Sequence, residues 1–239
     1  MPRRSVFLAT PAYDGNVNAC MALSLMHGAR LLADHDYEVK WLAHIGSCYL
    51  PVARNKMVRA FLESGFTDMI MIDADVQFDP VGLLKLMAYD VDIVGGTYPY
   101  KQEEGGWPIW LKGDENGKPI VDPITYLVEA NGIPTGFMRI RRHVFDVMKE
   151  KLGDEELLVD ELNPDGTKKA DGTYYNFFDT GKEKNLWWGE DYAFCKRWRA
   201  LGGRVWLCPD INFAHHGMKQ YKGNFYADCS RKDDQDAKP

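Results

Sequence analysis

The chain has no CxxC pair, no internal repeat, no surplus of positive charge and no stretch near the ~20 apolar residues that a membrane span needs. Its five cysteines, Cys20, Cys48, Cys195, Cys208 and Cys229, are an odd number at irregular spacing. They read as reduced thiols in a cytosol-like compartment rather than a disulfide frame or a zinc site. Met1-Pro-Arg-Arg leads into an apolar run covering only residues 6–9, too short for a signal-peptide core. A cytoplasmic protein without a transmembrane segment is expected, with peripheral membrane association left open. Lys and Arg number 29 against 35 Asp and Glu, a net charge of −6, which argues against a nucleic-acid backbone as partner. An acidic chain that handles phosphates must bring cationic help from a metal or from local lysines and arginines.

What is present is an ordinary globular composition, 45% apolar and 27% charged over 239 residues, enough for one core without staples. Strand-like and helix-like segments alternate through the first hundred residues. Residues 5–10 read as a buried strand, 17–33 as a helix and 38–44 as a second strand. Pro51 opens a helix that Gly65 stops. Residues 69–72 form a third strand, Asp79-Pro80 caps a helix to about residue 88, and 91–95 form a fourth strand. This alternation predicts an α/β domain with a mostly parallel sheet flanked by helices, its ligands beyond the carboxyl ends of the strands. The second half is less regular: a strand at 134–140, a helix at 142–151, a polar turn at 163–171 between short strands, a helix from Gly189 to Gly202-Gly203, and short strands at 205–208 and 211–214.

Asp73 and Asp75 end the third strand with Ala74 between them. In an extended segment both carboxylates project to one face, a pair suited to a hard divalent cation, Mn²⁺ or Mg²⁺, that keeps positions open for phosphate oxygens. The alternative is an acidic loop. Arg54, near the start of the preceding helix, faces the same edge and is placed to contact a ribose or base, or else forms a surface salt bridge. Glu190 and Asp191 occupy the first turn of a helix, where the partial positive charge favours their ionised form, as a general base requires. Simple dipole complementation is the plainer reading. Trp187 and Trp188 precede them with faces suited to stacking on sugars, unless they are buried as core. His215 follows a late strand and is a candidate to complete a metal shell with Asp75. Lys219 and Lys222 just beyond are placed to close over a diphosphate or to form a solvated face. Residues 98–117, with Trp107 and Trp110, read as a functional loop.

Taken in order, Thr10-Pro11-Ala12-Tyr13, Ala53-Arg54-Asn55, Asp73-Ala74-Asp75, Pro134-Thr135-Gly136-Phe137, Glu190-Asp191 and His215-x-Gly217 resemble a GT-A-fold glycosyltransferase, family 2-like, over residues 5–223. The resemblance implies a single GT-A (Rossmann-like) domain at 1–230, with a nucleotide-binding half at 1–97, an acceptor-binding half at 98–230 and a frayed tail at 231–239. It implies that Thr10, Ala12 and Tyr13 line the nucleotide, with Tyr13 on the base, and that Asp73 reaches the ribose or the metal. Ala74 belongs to the donor-binding tripeptide. Asp75 and His215 would bind Mn²⁺ or Mg²⁺, Gly136 would let the backbone approach the donor sugar, and Trp107 and Trp188 would meet the acceptor. Asp191 matches the catalytic base of inverting members, with Glu190 orienting the acceptor. One departure is His44-Ile45-Gly46, where members often carry an acidic residue that reads the base; UDP is preferred only as the common nucleotide of the fold.

The expected activity is therefore metal-dependent transfer of a sugar from a nucleoside-diphosphate donor to a glycan or other hydroxyl acceptor. Two alternatives carry different predictions. An aspartate-nucleophile phosphohydrolase also fits an apolar strand followed by DxD, although two strand–helix units precede the motif here. A non-catalytic carbohydrate-binding protein on a transferase scaffold would bind glycans without donor turnover.

Overall fold

The computed structural model describes residues 4–236, with side chains for all of these except 171 and 231–236. The elements in chain order are β1 (Ser5–Ala12), α1 (Ala19–Asp34), β2 (Glu38–Ile45), α2 (Leu50–Ser64), β3 (Asp68–Ile72), β4 (Val76–Phe78), α3 (Val81–Ala88), β5 (Ile93–Gly95), β6 (Trp110–Leu111), β7 (Val128–Gly132), β8 (Phe137–Arg141), α4 (Arg142–Leu157), β9 (Leu158–Leu162) and β10 (Lys168–Tyr175). After them come β11 (Gly181–Glu183), β12 (Leu186–Trp188), α5 (Glu190–Ala200), β13 (Val205–Leu207), β14 (Asn212–His216), β15 (Gln220–Asn224) and α6 (Phe225–Asp236). Local chemistry sets several boundaries. The Asn18 side chain caps α1 by accepting from the Cys20 and Met21 amides, and Gly65 ends α2 in the left-handed region at φ 76°.

The main sheet has the order β2-β1-β3-β8-β5-β13-β7-β6. Its central strands are buried on both faces, and side chains alternate between two cores. Phe7, Ala9, Met69 and Met71 pack with Phe61, Phe145 and Phe194 from α2, α4 and α5; Val6, Leu8, Ile70 and Ile72 pack with Met21, Leu25, Leu83 and Leu86 from α1 and α3. No helix among the described residues is long and apolar enough to cross a membrane.

The sheet is mixed rather than mostly parallel. β1 runs parallel to β2 and β3, and β5 to β13, but β8 enters antiparallel between β3 and β5, and β7 is antiparallel to both its neighbours. The predicted strand at 134–140 is thus the one that breaks the parallel pattern, and it lies directly beside the strand that ends in Asp73. Three further departures concern element boundaries. β4, β6, β7, β11, β12 and β15 are not among the predicted elements, α4 continues past residue 151 across a kink at Gly153 (φ 77°), and the expected frayed tail is helical in α6 as far as Asp236. The remainder of that tail lies outside the described residues.

Candidate active site

The end of β3 is held in place by β8. The Asp73 amide donates to the Gly136 carbonyl at 3.0 Å. A Cβ on Gly136 would collide with the Tyr98 hydroxyl and the Asp73 carboxylate, so any side chain here would displace one of them. Asp73 then accepts two hydrogen bonds, from Arg54 Nη2 to Oδ1 (3.1 Å) and from the Tyr98 hydroxyl to Oδ2 (3.2 Å). The same guanidinium donates through Nε to Glu190 Oε1 at 3.3 Å. Arg54 is 2% exposed. It is therefore neither a surface salt bridge nor a group presented to a ribose or base, but a buried cation joining the two acidic motifs. Burial alone would weaken its charge, yet Asp73 and Glu190 beside it raise its pKa above the ordinary value.

Asp191 departs from expectation in its electrostatics. The helix N-terminus was expected to favour the ionised form, but the carboxyl is pushed up to about 6, first by burial and then by the adjacent Glu190 and by Asp73; the Tyr192 amide and Arg54 offset only part of this. A helix end contributes ~0.3–1 kcal/mol, less than the desolvation of a carboxylate with acidic neighbours.

The second carboxylate of the motif sits beside a different set of groups. β14 pairs with β4, placing His215 opposite Val76, and the His216 amide donates to the Asp75 carbonyl at 2.9 Å. His215 Nδ1 lies 2.9 Å from the Pro99 carbonyl and Nε2 lies 3.5 Å from Asp75 Oδ1. A carbonyl only accepts, so Nδ1 carries the proton and Nε2 faces Asp75. The Lys101 ammonium also pairs with Asp75. Burial would raise the Asp75 pKa, but His215 and Lys101 outweigh it and hold the carboxyl at about 2. His216 faces the other way, with Nε2 2.9 Å from Gln77 Oε1.

The three expected metal ligands do not form one cluster. Among the described residues, no three His, Cys, Asp or Glu side chains converge to hold a metal ion. Asp73 is committed to Arg54 and Tyr98, which leaves Asp75 and His215 as a two-donor pair. A carboxylate and an imidazole suit a hard divalent ion whose other positions are filled by water and phosphate oxygens.

The remaining predicted residues are scattered to different degrees. Thr10 is fully buried, and its hydroxyl accepts from Trp41 Nε1 at 3.1 Å, so it does not line an open cleft. Ala12 is buried at the end of β1, whereas Tyr13 just beyond is 63% exposed. The Ala74 carbonyl accepts from the Asn18 amide at 2.8 Å, tying the acidic tripeptide to the start of α1. Lys222 pairs across strands with Ala214, and His215 with Tyr221. Paired residues share a face and successive ones alternate, so Lys222 lies on the opposite face from His215, beside a 440 Å³ cavity with Cys20, His27 and Gln77. Lys219 is engaged with Glu103. Neither lysine stands over the Asp75 pair.

Of the aromatic residues, Trp107 packs edge-on against Phe225 at 5.5 Å and belongs to the support of β15 and α6. Trp188 stacks on Trp110 at 5.6 Å with 28° between the rings, and the Lys196 ammonium lies 4.6 Å over it. Trp187 is 70% exposed. An indole pair thus stands immediately before Glu190 and Asp191, with Trp110 in place of Trp107. Tyr98 and Lys101 are site residues given no role from the sequence, and Trp110 was named there only as part of the functional loop. All three come from the irregular stretch after β5, where no periodicity marks which side chains turn inward. Asn55, by contrast, supports rather than lines the site: its amide holds Asn176 Oδ1 (2.7 Å) and the Phe178 backbone.

No protein-family model and no curated protein matches the sequence. Among solved structures, the crystal structure of A197 from STIV is similar with a TM-score of 0.52 and 19% identity, covering 92% of this chain and 94% of that one. The crystal structure of a glycosyltransferase involved in the glycosylation of the major capsid of PBCV-1 overlaps at a TM-score of 0.30 and 10% identity, covering 62% and 64%. The first likeness establishes a shared α/β architecture; architecture does not assign chemistry.

Proposed function

We propose that the protein transfers a sugar from a nucleoside-diphosphate donor to a hydroxyl acceptor. One observation carries the reading: the carboxylate ending β3 and the acidic pair opening α5 share the Arg54 guanidinium. Residues matched to donor binding and residues matched to acceptor activation therefore meet in one centre. Asp191, with its pKa near 6, is ionised at neutral pH yet remains a better base than an ordinary carboxylate. It takes the proton of the acceptor hydroxyl while that oxygen attacks the anomeric carbon from the face opposite the leaving diphosphate, which inverts that carbon. Glu190, fixed by Arg54, orients the acceptor, and the Trp110–Trp188 pair offers the surface on which a glycan acceptor rests. Tyr13 offers an exposed ring to the base, with UDP the preferred nucleotide.

Asp75 and His215 are the residues that would hold Mn²⁺ or Mg²⁺, and such an ion, when bound, neutralises charge on the leaving diphosphate. The phosphohydrolase alternative needs Asp73 free to attack phosphorus, and both of its oxygens are hydrogen-bonded instead.

The test is release of free nucleotide from a panel of sugar nucleotides with glycan acceptors. Asp191→Asn is expected to lose ~10²-fold or more of turnover while nucleotide affinity stays within twofold, roughly the scatter of such measurements. Full turnover in that variant would remove Asp191 from the mechanism.

A further inference from the structure

Building on the transfer reading, we infer that Lys101 is the diphosphate-binding lysine of this site, held until then on Asp75 as a cation supplied by the chain itself. The lysines the sequence points to are elsewhere, Lys222 across the small sheet and Lys219 on Glu103. Lys101 is the lysine paired with the acidic tripeptide. Its stem runs over Gly217, where a Cβ would sit 3.1 Å from Lys101 Cδ, so the glycine leaves the channel this side chain occupies. The backbone around it is anchored on both sides. The Pro99 carbonyl is bound by His215, and the Tyr100 amide donates to Gly106 at 3.0 Å through a turn with Gly105 and Gly106 at φ 71° and 99°.

The Asp75 carboxylate is shared between two partners. With Nδ1 donating to Pro99, His215 turns Nε2 toward a carboxylate oxygen 3.5 Å away. The Lys101 ammonium pairs with the other oxygen of that carboxylate, so the imidazole and the lysine hold Asp75 from its two oxygens. An ammonium on a four-carbon stem has three donors and no fixed plane, and this one is 35% exposed. When a divalent ion takes Asp75 and His215, the displaced ammonium is left beside the phosphate oxygens that the same ion attracts. Lys101 and the ion therefore compete in the nucleotide-free protein and act together on the diphosphate.

Isothermal titration of the full chain separates the two halves. Without nucleotide, Lys101→Met is expected to bind Mn²⁺ about tenfold more tightly than the unaltered protein. With Mn²⁺ saturating, it is expected to bind the preferred member of a UDP, GDP, CDP and ADP panel about tenfold more weakly, with Lys101→Arg restoring most of that loss. Equal Mn²⁺ affinity in Lys101→Met and the unaltered protein overturns the inference, as does equal diphosphate affinity. If the unaltered protein binds no member of the panel, the transfer reading fails and takes the diphosphate role with it. The Mn²⁺ comparison then decides by itself whether Lys101 is the cation of Asp75.

Discussion

Asp73 and Glu190, from opposite halves of the chain, accept hydrogen bonds from one buried guanidinium, at 3.1 and 3.3 Å from Arg54 Nη2 and Nε. A shared cation of this kind fixes the distance between two acidic motifs more firmly than separate partners would, because the guanidinium is planar and its donors are set at fixed angles. Removing it leaves partly buried carboxylates without their counter-charge. Arg54→Leu is expected to destabilise the fold by ~3–5 kcal/mol, read as a lowered urea midpoint, and Arg54→Lys by less. A loss under about 1 kcal/mol, the range of exposed pairs, would mean that the bridge is dispensable.

The position of Asp191 predicts two pH effects of opposite sense. As a base it must be ionised, so kcat/KM is expected to climb through about pH 6 and level off above it. Stability runs the other way. A carboxyl whose native pKa lies above its unfolded value holds its proton more tightly when folded. Its contribution is fully present below the unfolded value of 3.8 and is lost as pH rises through about 6. Asp191→Asn should therefore raise stability at pH 8 by ~1–3 kcal/mol and leave it nearly unchanged at pH 4. Equal thermal midpoints for the two proteins at pH 8 would contradict the raised pKa.

Gly136→Ala tests the close approach of β8 to Asp73. The added methyl meets the Tyr98 hydroxyl and the Asp73 carboxylate, so one of them must move. Nucleotide affinity is expected to fall about tenfold or more, with ~1–3 kcal/mol lost in stability as for overpacking elsewhere. Unaltered affinity would place the donor away from this carboxylate.

The stacked indoles give a separable prediction. Trp110→Ala and Trp188→Ala should each raise the KM for a glycan acceptor several-fold, at ~1 kcal/mol per lost stacking contact, while nucleotide affinity is retained. Glycan affinity that survives both changes would assign the pair to packing alone.

The first half of the chain was legible because strands β1, β3 and β5 are apolar and buried on both faces and its helices are punctuated. Pro51 and Gly65 mark boundaries that the structure bears out within two residues or so, and Asp73 and Asp75 stand at the expected strand end. The mixed pairing was not legible, since neither apolar content nor alternation in residues 134–140 encodes the direction of β8. The site was readable as acidic motifs in order, but not as a network. Arg54 and Glu190 have no sequence signature linking them, and the burial that raises Asp191 comes from packing that a helix-end argument omits. Lys222 was misplaced for a simpler reason: a period of two decides the face of a strand residue, and His215 and Lys222 fall on opposite parities of paired strands.

The most direct test of the account is a thermal-shift series with UDP-, GDP-, CDP- and ADP-sugars, with and without Mn²⁺, on the unaltered protein and on Asp75→Ala. One nucleotide class should raise the melting temperature, more with Mn²⁺ than without, and Asp75→Ala should lose the Mn²⁺-dependent part. A melting temperature that no sugar nucleotide moves under either condition would contradict the assignment of this centre to glycosyl transfer.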